Sequence, residues 1–140
     1  IVGRTGSGKT SLINLINGMI MPNIGSIQLD GHDLKQINLF DVRKNISYMP
    51  QQPVIFSGTF EENLKIIDPF ATTEEIEKVY EKVDALKEIK QFSEGLNTYI
   101  THYFLHSKSK LLVYKINLAR AYIKKSNLIL FDELPNIILN

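Results

Sequence analysis

A glycine-rich stretch near the amino terminus, GRTGSGKT, constrains the fold of this chain more than any other feature. It occupies residues 3–10 and follows the pattern G-x-x-x-x-G-K-[ST]. Glycines let a backbone bend so that successive amides point inward at an anion, and a helix that begins there adds its positive end. We therefore expect a buried strand that ends at Ile1 and Val2, then a phosphate-binding loop, then a helix.

The residue types in this loop assign roles to single side chains. Lys9 is expected to reach the β- and γ-phosphates of a nucleotide, and Thr10 to ligate Mg²⁺. The alternative is a glycine turn that binds no ligand. The apolar residues before the loop and the amphipathic pattern after it favour the phosphate loop. The residues expected to contact the nucleotide are Gly3, Arg4, Thr5, Gly6, Ser7, Gly8, Lys9, Thr10 and Ser11.

A second stretch, LILFDE at residues 128–133, supplies acidic groups. Its continuous apolar run is typical of a strand buried on both faces of a parallel sheet. At the carboxyl edge of such a sheet, beside the loop, Asp132 can hold Mg²⁺ through water and Glu133 can polarise an attacking water as general base. The alternative is a strand followed by two solvated acids. No N-K-x-D or D-x-x-G pattern follows the loop, which argues against a GTPase.

The rest of the chain alternates between helical and extended patterns. Short strands are predicted within residues 25–31 and at 46–49, and the first helix, with an apolar stripe that runs to Met19 and Ile20, is predicted to end at Pro22. Residues 110–125 are a further helix candidate. The order predicts an α/β fold, with a P-loop core, a parallel sheet and an inserted helical subdomain.

Local signals also divide this pattern into domains. Capping boxes at Thr59 with Glu62 and at Thr72 with Glu75 predict two helix starts after the second short strand. We place the nucleotide-binding core at residues 1–54 and 126–140. The helical subdomain is then residues 55–125.

Composition and charge narrow the function classes. The net charge is +1, so nothing indicates nucleic acid as a partner. The chain has no cysteine, which excludes disulfides, a cysteine nucleophile and Cys-ligated metal. His102 and His106 have no third ligand beside them in the sequence, which favours surface histidines over a metal site. No apolar run approaches the roughly 20 residues needed to span a bilayer, so a membrane role must come through another segment or chain.

Together, these motifs resemble the nucleotide-binding domain of ABC transporters over nearly the whole chain. GRTGSGKTSL resembles the family's Walker A motif, ISYMPQQPVIFSGTFEENL its Q-loop and the start of its helical subdomain, and LARAYIKKSNLILFDE the helix that leads into Walker B. PVIFSGT and IDPF look most like exporters of the multidrug-resistance-associated subfamily, although peptide and toxin exporters share much of this.

The resemblance implies further roles for single residues. Gln51 matches the Q-loop glutamine, which in the family touches Mg²⁺ or the lytic water and senses the transmembrane domain. The implied catalytic residues are Glu133 and Gln51. The implied metal site consists of Thr10, Gln51 and Asp132, and the implied cofactors are ATP and Mg²⁺.

Two regions depart from the family's pattern. Where the family has L-S-G-G-Q, residues 108–112 read KSKLL, in which only the serine is kept. In the family this motif binds the γ-phosphate held by the opposite protomer, so we expect this surface to serve a partner's ATP poorly and Ser109 to act as a helix N-cap. Lys108 or Lys110 as a compensating phosphate contact is the alternative. Residues 134–140 lack the D-loop aspartate, and the family's adenine-stacking aromatic and switch histidine are not matched, so the chain resembles a piece of a longer protein or a decayed copy.

The expected function follows from the resemblance. It is the ATP-binding and ATP-hydrolysing portion of an ABC-type exporter subunit, which couples ATP binding and hydrolysis to transmembrane transport. The implied partners are a second nucleotide-binding domain and transmembrane domains, which hold the chain at the cytoplasmic face of a membrane. Three alternatives stay open: a catalytically impaired nucleotide-binding module, a non-transport ABC or other P-loop ATPase, and a fragment that does not fold stably.

Overall fold

A computed structural model describes residue 1, residues 3–4 and residues 6–133, without the side chains of residues 105, 106 and 108. The chain divides into two compact units, one formed by residues 1–51 and 126–140 and the other by residues 52–125. The functional assignment of residues 1–54 and 126–140 to a nucleotide-binding core stays a prediction, as does that of residues 55–125 to a helical subdomain.

The first unit combines short helices with two pairs of strands. Its elements are α1 (Lys9–Ile16), β1 (Gln28–Leu29), β2 (His32–Asp33), a 3₁₀ turn (Leu34–Gln36), α2 (Leu39–Lys44), β3 (Ile46–Met49) and β6 (Leu128–Phe131). β1 and β2 form an antiparallel hairpin. Its two-residue connection is Asp30-Gly31, with φ angles of 49° and 81°. Asp-Gly suits such a turn because both central positions need a positive φ.

The first helix is shorter than predicted. The Gly18 amide donates to the Leu15 carbonyl, and the Met19 amide donates to the Asn14 carbonyl. With Gly18 at a φ of 65°, these bonds form a Schellman motif, which ends the helix at Ile16. The prediction that Met19 and Ile20 belong to the helical stripe and that Pro22 ends the helix is therefore wrong, and both side chains are exposed.

The central feature of the first unit is the parallel pairing of β3 with β6. Tyr48 lies opposite Leu130 and Met49 opposite Phe131, and the Asp132 amide extends the ladder by donating to the Met49 carbonyl at 3.0 Å. Both predicted strands are confirmed. A buried cluster in this unit packs against Leu130 of β6 and consists of Leu34, Val42 and Ile46.

Two expectations about burial in this unit are wrong. Strand β6 is only partly buried, with Leu128 exposed, rather than buried on both faces. Within the described residues it pairs with β3 alone, so its other edge has no strand against it. Ile1 is exposed and lies in no strand, while Val2, the other residue of that predicted strand, lies outside the described residues.

The second unit is mainly helical. Its elements are β4 (Gly58–Thr59), α3 (Phe60–Lys65), α4 (Thr73–Lys82), α5 (Leu86–Ile89), a 3₁₀ turn (Gly95–Asn97), β5 (Tyr99–Ile100), α6 (His102–Lys108) and α7 (Lys110–Ile123). β4 and β5 pair antiparallel. One core joins these helices, and its largest fully buried side chains are Phe60, Leu64, Ile76, Tyr80, Ile89, Ile100, Leu112, Ile116 and Ile123. The predicted helix at 110–125 is confirmed, except that it ends at Ile123.

Both predicted capping boxes are present. At α4 the Glu75 amide donates to the Thr72 hydroxyl, and the Thr72 amide donates to the Glu75 carboxylate. At α3, Thr59 and Glu62 make the same reciprocal pair. Each box satisfies two amides that a helix start leaves without intrahelical partners.

We expect Thr72→Ala to lower the free energy of unfolding by about 1 kcal/mol, because the Glu75 amide loses its acceptor. Chemical denaturation of the full native chain measures this change. Thr73→Ala is the matched control, since Thr73 is also exposed but lies inside the first turn. An equal loss of stability in both variants would contradict the capping role.

Candidate functional site

The glycine loop has the backbone conformation that a phosphate loop requires. Gly6 and Gly8 have φ angles of 81° and 88°, a region that side-chain-bearing residues rarely adopt. Gly8 is the N-cap of α1, so the helix begins immediately after it, at Lys9. The loop's last residues therefore sit at the positive end of a helix, as the sequence predicts. Thr5 lies outside the described residues.

The Lys9 side chain folds back over the loop that precedes it. Its ammonium donates to the carbonyls of Gly3 at 2.7 Å and Arg4 at 2.9 Å. The positive charge therefore lies beside the loop, and Lys9 also lines the cavity next to it. The two carbonyl contacts also hold the long side chain in one orientation, which lowers the entropy cost of placing the charge.

Asp132 is the buried acid of the site. Its side chain follows β6, and the residue is only 6% exposed. The Thr10 hydroxyl donates to the Asp132 Oδ1 at 3.0 Å, which joins the start of α1 to the end of β6. The Tyr48 side chain lies on the same face of the strand pair and interacts with this carboxylate. Burial, followed by the charge of Asp132, raises the pKa of the Tyr48 phenol, so at neutral pH the phenol stays protonated and can act as a donor.

Glu133 and Gln51 meet at the same edge of the strand pair. The Gln51 Nε2 donates to the Glu133 Oε2 at 2.5 Å. Glu133 has a φ of 69°, in the left-handed region, which is costly for a residue with a side chain. With this backbone conformation the two adjacent residues differ in exposure: Asp132 is buried, whereas Glu133 is exposed.

These residues line one cavity of about 400 Å³ within the first unit. Its walls are Gly6, Gly8, Lys9, Thr10, Ser11, Gln51, Asp132 and Glu133. The structure thus brings together the loop, the two acids and the Q-loop glutamine that the sequence singled out. Gly3 and Arg4 contribute through their carbonyls' contacts with Lys9.

The groups that line this cavity are of two kinds, and each kind binds a different class of ligand. One ammonium and the loop amides can bind anionic oxygens, whereas the hydroxyl, the amide oxygen and the two carboxylates suit a hard cation. Among the described residues, no cluster of three or more His, Cys, Asp or Glu side chains forms a metal site. Mg²⁺ fits such a set, because it is usually held by one or two carboxylates together with waters and phosphate oxygens.

The region in the place of the family's signature motif is built as an ordinary helix start. The Ser109 hydroxyl accepts from the Leu112 amide at 3.1 Å, so the predicted N-cap is confirmed. Leu112 is fully buried in the core of the second unit, while Lys110 is exposed. The kept serine thus has a structural partner within its own helix.

Sequence reasoning did not identify Tyr48 as part of the site. The alternation of side chains along a strand could have identified it, because side chains two residues apart lie on the same face of the sheet. Once β3 and β6 are aligned, Tyr48 is level with Leu130, which is two residues before Asp132. The alignment itself is not readable from either strand alone.

Comparison with known proteins shows the family to which this chain belongs. A family model described as "ABC transporter" matches residues 1–136. ABC transporter C family member 12 of Dictyostelium discoideum is 37% identical over 138 residues, covering 95% of this chain and 10% of that protein. The glutathione/L-cysteine transport system ATP-binding/permease protein CydD of Haemophilus influenzae is 35% identical over 136 residues, covering 95% of this chain and 22% of that protein.

A solved structure shares the fold over nearly the entire chain. A bacterial Atm1-family ABC exporter with ATP bound superposes with a TM-score of 0.87 at 21% identity, covering 98% of this chain and 24% of that one. This confirms the predicted fold class, the α/β fold of P-loop ATPases. The chain belongs to the ABC transporter family, as its motifs predict. It spans between a tenth and a quarter of the length of the relatives named here.

Proposed function

We propose that this chain is the ATP-binding and ATP-hydrolysing portion of an ABC-type exporter subunit. The observation that carries the proposal is the convergence of Lys9, Thr10, Asp132 and Glu133 on one cavity beside the glycine loop. Relatives whose names include "ATP-binding" support it at the level of the family. Both relatives are longer than this chain, which covers 22% and 19% of their lengths.

The loop and Lys9 are the proposed phosphate site. The ammonium now donates to two loop carbonyls, and a bound triphosphate offers it stronger, charged acceptors in the same direction. The positive φ angles at Gly6 and Gly8 turn the backbone so that the amides around them can bind the same phosphates. Arg4, Thr5, Ser7 and Ser11 complete the proposed contact set.

Thr10, Asp132 and Gln51 are the residues that would hold Mg²⁺, with Asp132 acting through water. The ion, when bound, neutralises charge on the phosphate oxygens. The chain's own contribution is to orient the ligands: the Thr10 hydroxyl already contacts the carboxylate that is to share the site. Glu133 is the proposed general base, and its exposed carboxylate lines the cavity, where it can accept a proton from an attacking water.

The proposed partners are a second nucleotide-binding domain and transmembrane domains, which hold the chain at the cytoplasmic face of a membrane. None of the helices in the described part of the chain is long and apolar enough to cross a membrane. The proposed dimer surface is weakened on this side. Leu112 is buried, and Lys110 carries a side chain where the family has a glycine, so neither offers the contact that the family's motif makes to a partner's γ-phosphate.

Calorimetric titration of the full native chain with Mg–ATP tests the proposal. We expect Lys9→Met to weaken ATP binding by about 30-fold, the equivalent of the ~2 kcal/mol that a charge-assisted hydrogen bond contributes. Lys44→Met is the matched control, because Lys44 is an exposed lysine of the same unit and does not line the cavity. Equal heats for the parent and Lys9→Met, on protein that melts cooperatively, would refute the proposal.

A nucleotide-binding module without turnover is the second candidate. The sequence of residues 108–112 favours it, because only the serine of the family's L-S-G-G-Q motif is kept there. A different observation distinguishes a non-transport ATPase of the same family from the proposed exporter subunit: whether transmembrane segments are encoded beside these residues.

A further inference from the structure

Tyr48 occupies a special position relative to the proposed metal site. It lies in β3, one register step before Met49, whose carbonyl accepts from the Asp132 amide at 3.0 Å. Tyr48 faces Leu130 across the parallel pair, and Asp132, which follows the end of β6 and continues its ladder, lies two residues after Leu130 on the same face. The diagonal between Tyr48 and Asp132 is a distance that a long aromatic side chain can span.

Hydroxyl groups from two different elements lie beside the Asp132 carboxylate. Thr10 donates to it from the start of α1 at 3.0 Å, and the strand register places Tyr48 of β3 on the same face, next to it. The residue is almost completely buried, so few water molecules can replace either donor. With Thr10 alone, the carboxylate could rotate about its Cβ–Cγ bond, since one contact does not define its plane.

We propose that Tyr48 is a positioning residue that orients the Asp132 carboxylate for a divalent cation. This inference rests on the proposed function. In this arrangement the Tyr48 hydroxyl restrains the carboxylate, while Thr10 has lone pairs available for the cation. Tyr48 itself touches neither nucleotide nor metal, and its effect is transmitted through the plane of the carboxylate. Outer partners of this kind commonly change metal affinity by 10- to 100-fold.

The test is Tyr48→Phe in the full native chain, which removes one oxygen and keeps the ring. Mn²⁺ is the probe, because its paramagnetism reports binding directly, with no turnover required. Two quantities are measured: Mn²⁺ affinity at saturating non-hydrolysable ATP analogue, and affinity for the same analogue in EDTA. We expect Mn²⁺ affinity to fall about tenfold and the affinity in EDTA to stay within twofold, since Lys9 and the loop are untouched. Tyr99→Phe, at an exposed tyrosine of the other unit, is the control and should change neither.

Each other outcome has a definite meaning. Unchanged Mn²⁺ affinity would overturn the positioning role. Equal weakening of both affinities, or loss of cooperative melting, would make Tyr48 a purely structural residue and would overturn it as well. If the parent protein binds no analogue at all, the failure is that of the proposed function and is seen before any variant is compared.

Discussion

Arg120→Met should lower the free energy of unfolding by about 3 to 5 kcal/mol, a large share of the stability of a domain this size. The guanidinium is only 7% exposed and makes its contacts entirely within the second unit. Its Nε donates to the Asn63 carbonyl at 2.9 Å, and its Nη1 donates to the Val54 carbonyl at 2.6 Å. It also donates to the side-chain oxygens of Asn63 and Asn117 and lies over the Phe56 ring.

The effect is large because the substitution leaves buried hydrogen-bond acceptors without a donor. Burial lowers the pKa of the Arg120 guanidinium to about 10, which is still well above neutral pH, so the group is charged in the native state. The free-energy cost of burying that charge is therefore already included in the stability of the parent protein. Met fills a similar volume but donates nothing, and each buried acceptor left without a donor costs about 1 to 3 kcal/mol. Within the described part of the chain, Arg120 is the side-chain donor to both the Asn63 carbonyl and the Asn117 amide oxygen.

Denaturant unfolding monitored by far-UV circular dichroism measures the change. Lys110→Met, at an exposed cation of the same helix, is the matched control and should stay within about 0.5 kcal/mol of the parent. Arg120→Lys should also destabilise the fold, because an ammonium cannot reach acceptors on three sides as the planar guanidinium does. A parent-like midpoint for Arg120→Met would show that the network contributes little.

Glu133→Gln should reduce ATP turnover by about 100- to 1,000-fold while leaving ATP binding nearly unchanged. Gln keeps the shape of the side chain and its exposure to the cavity, but it cannot accept a proton from water. The left-handed backbone at Glu133 is no worse for Gln than for Glu, so the fold should be unaffected. Phosphate release under single-turnover conditions measures the rate, and calorimetry measures the binding.

This variant also separates the two candidate functions. Glu81→Gln, at an exposed glutamate of α4, should keep the parent's turnover rate. If the parent turns over no faster than Glu133→Gln while both bind ATP, the chain is a nucleotide-binding module without hydrolysis. The Gln51 contact adds a second expectation: because its amide donates to the Glu133 carboxylate, Gln51→Ala should alter turnover more than binding.

Local sequence signals were reliable where a few neighbouring residues decide the structure. Two capping boxes, the Ser109 N-cap and the strands at Ile46–Met49 and Leu128–Phe131 were predicted correctly, since each depends on hydrogen bonds or a run of apolar side chains within a short stretch. The predicted end of the first helix was wrong for a local reason as well: Gly18 ends the helix before Pro22, and glycine is a recognisable signal for the end of a helix.

The amino-acid sequence alone was sufficient to locate the glycine loop and the acidic residues after the last strand and to predict the family. These features depend on residue types at short, definite spacings, which can be read without knowing what lies nearby in space. Folding was needed to show that Thr10 contacts Asp132, 122 residues away, that Gln51 contacts Glu133, 82 residues away, and that Tyr48 shares the buried carboxylate. Only strand pairing and the packing of α1 bring those atoms within hydrogen-bond distance, and a linear pattern contains no information about which partner a buried carboxylate will find.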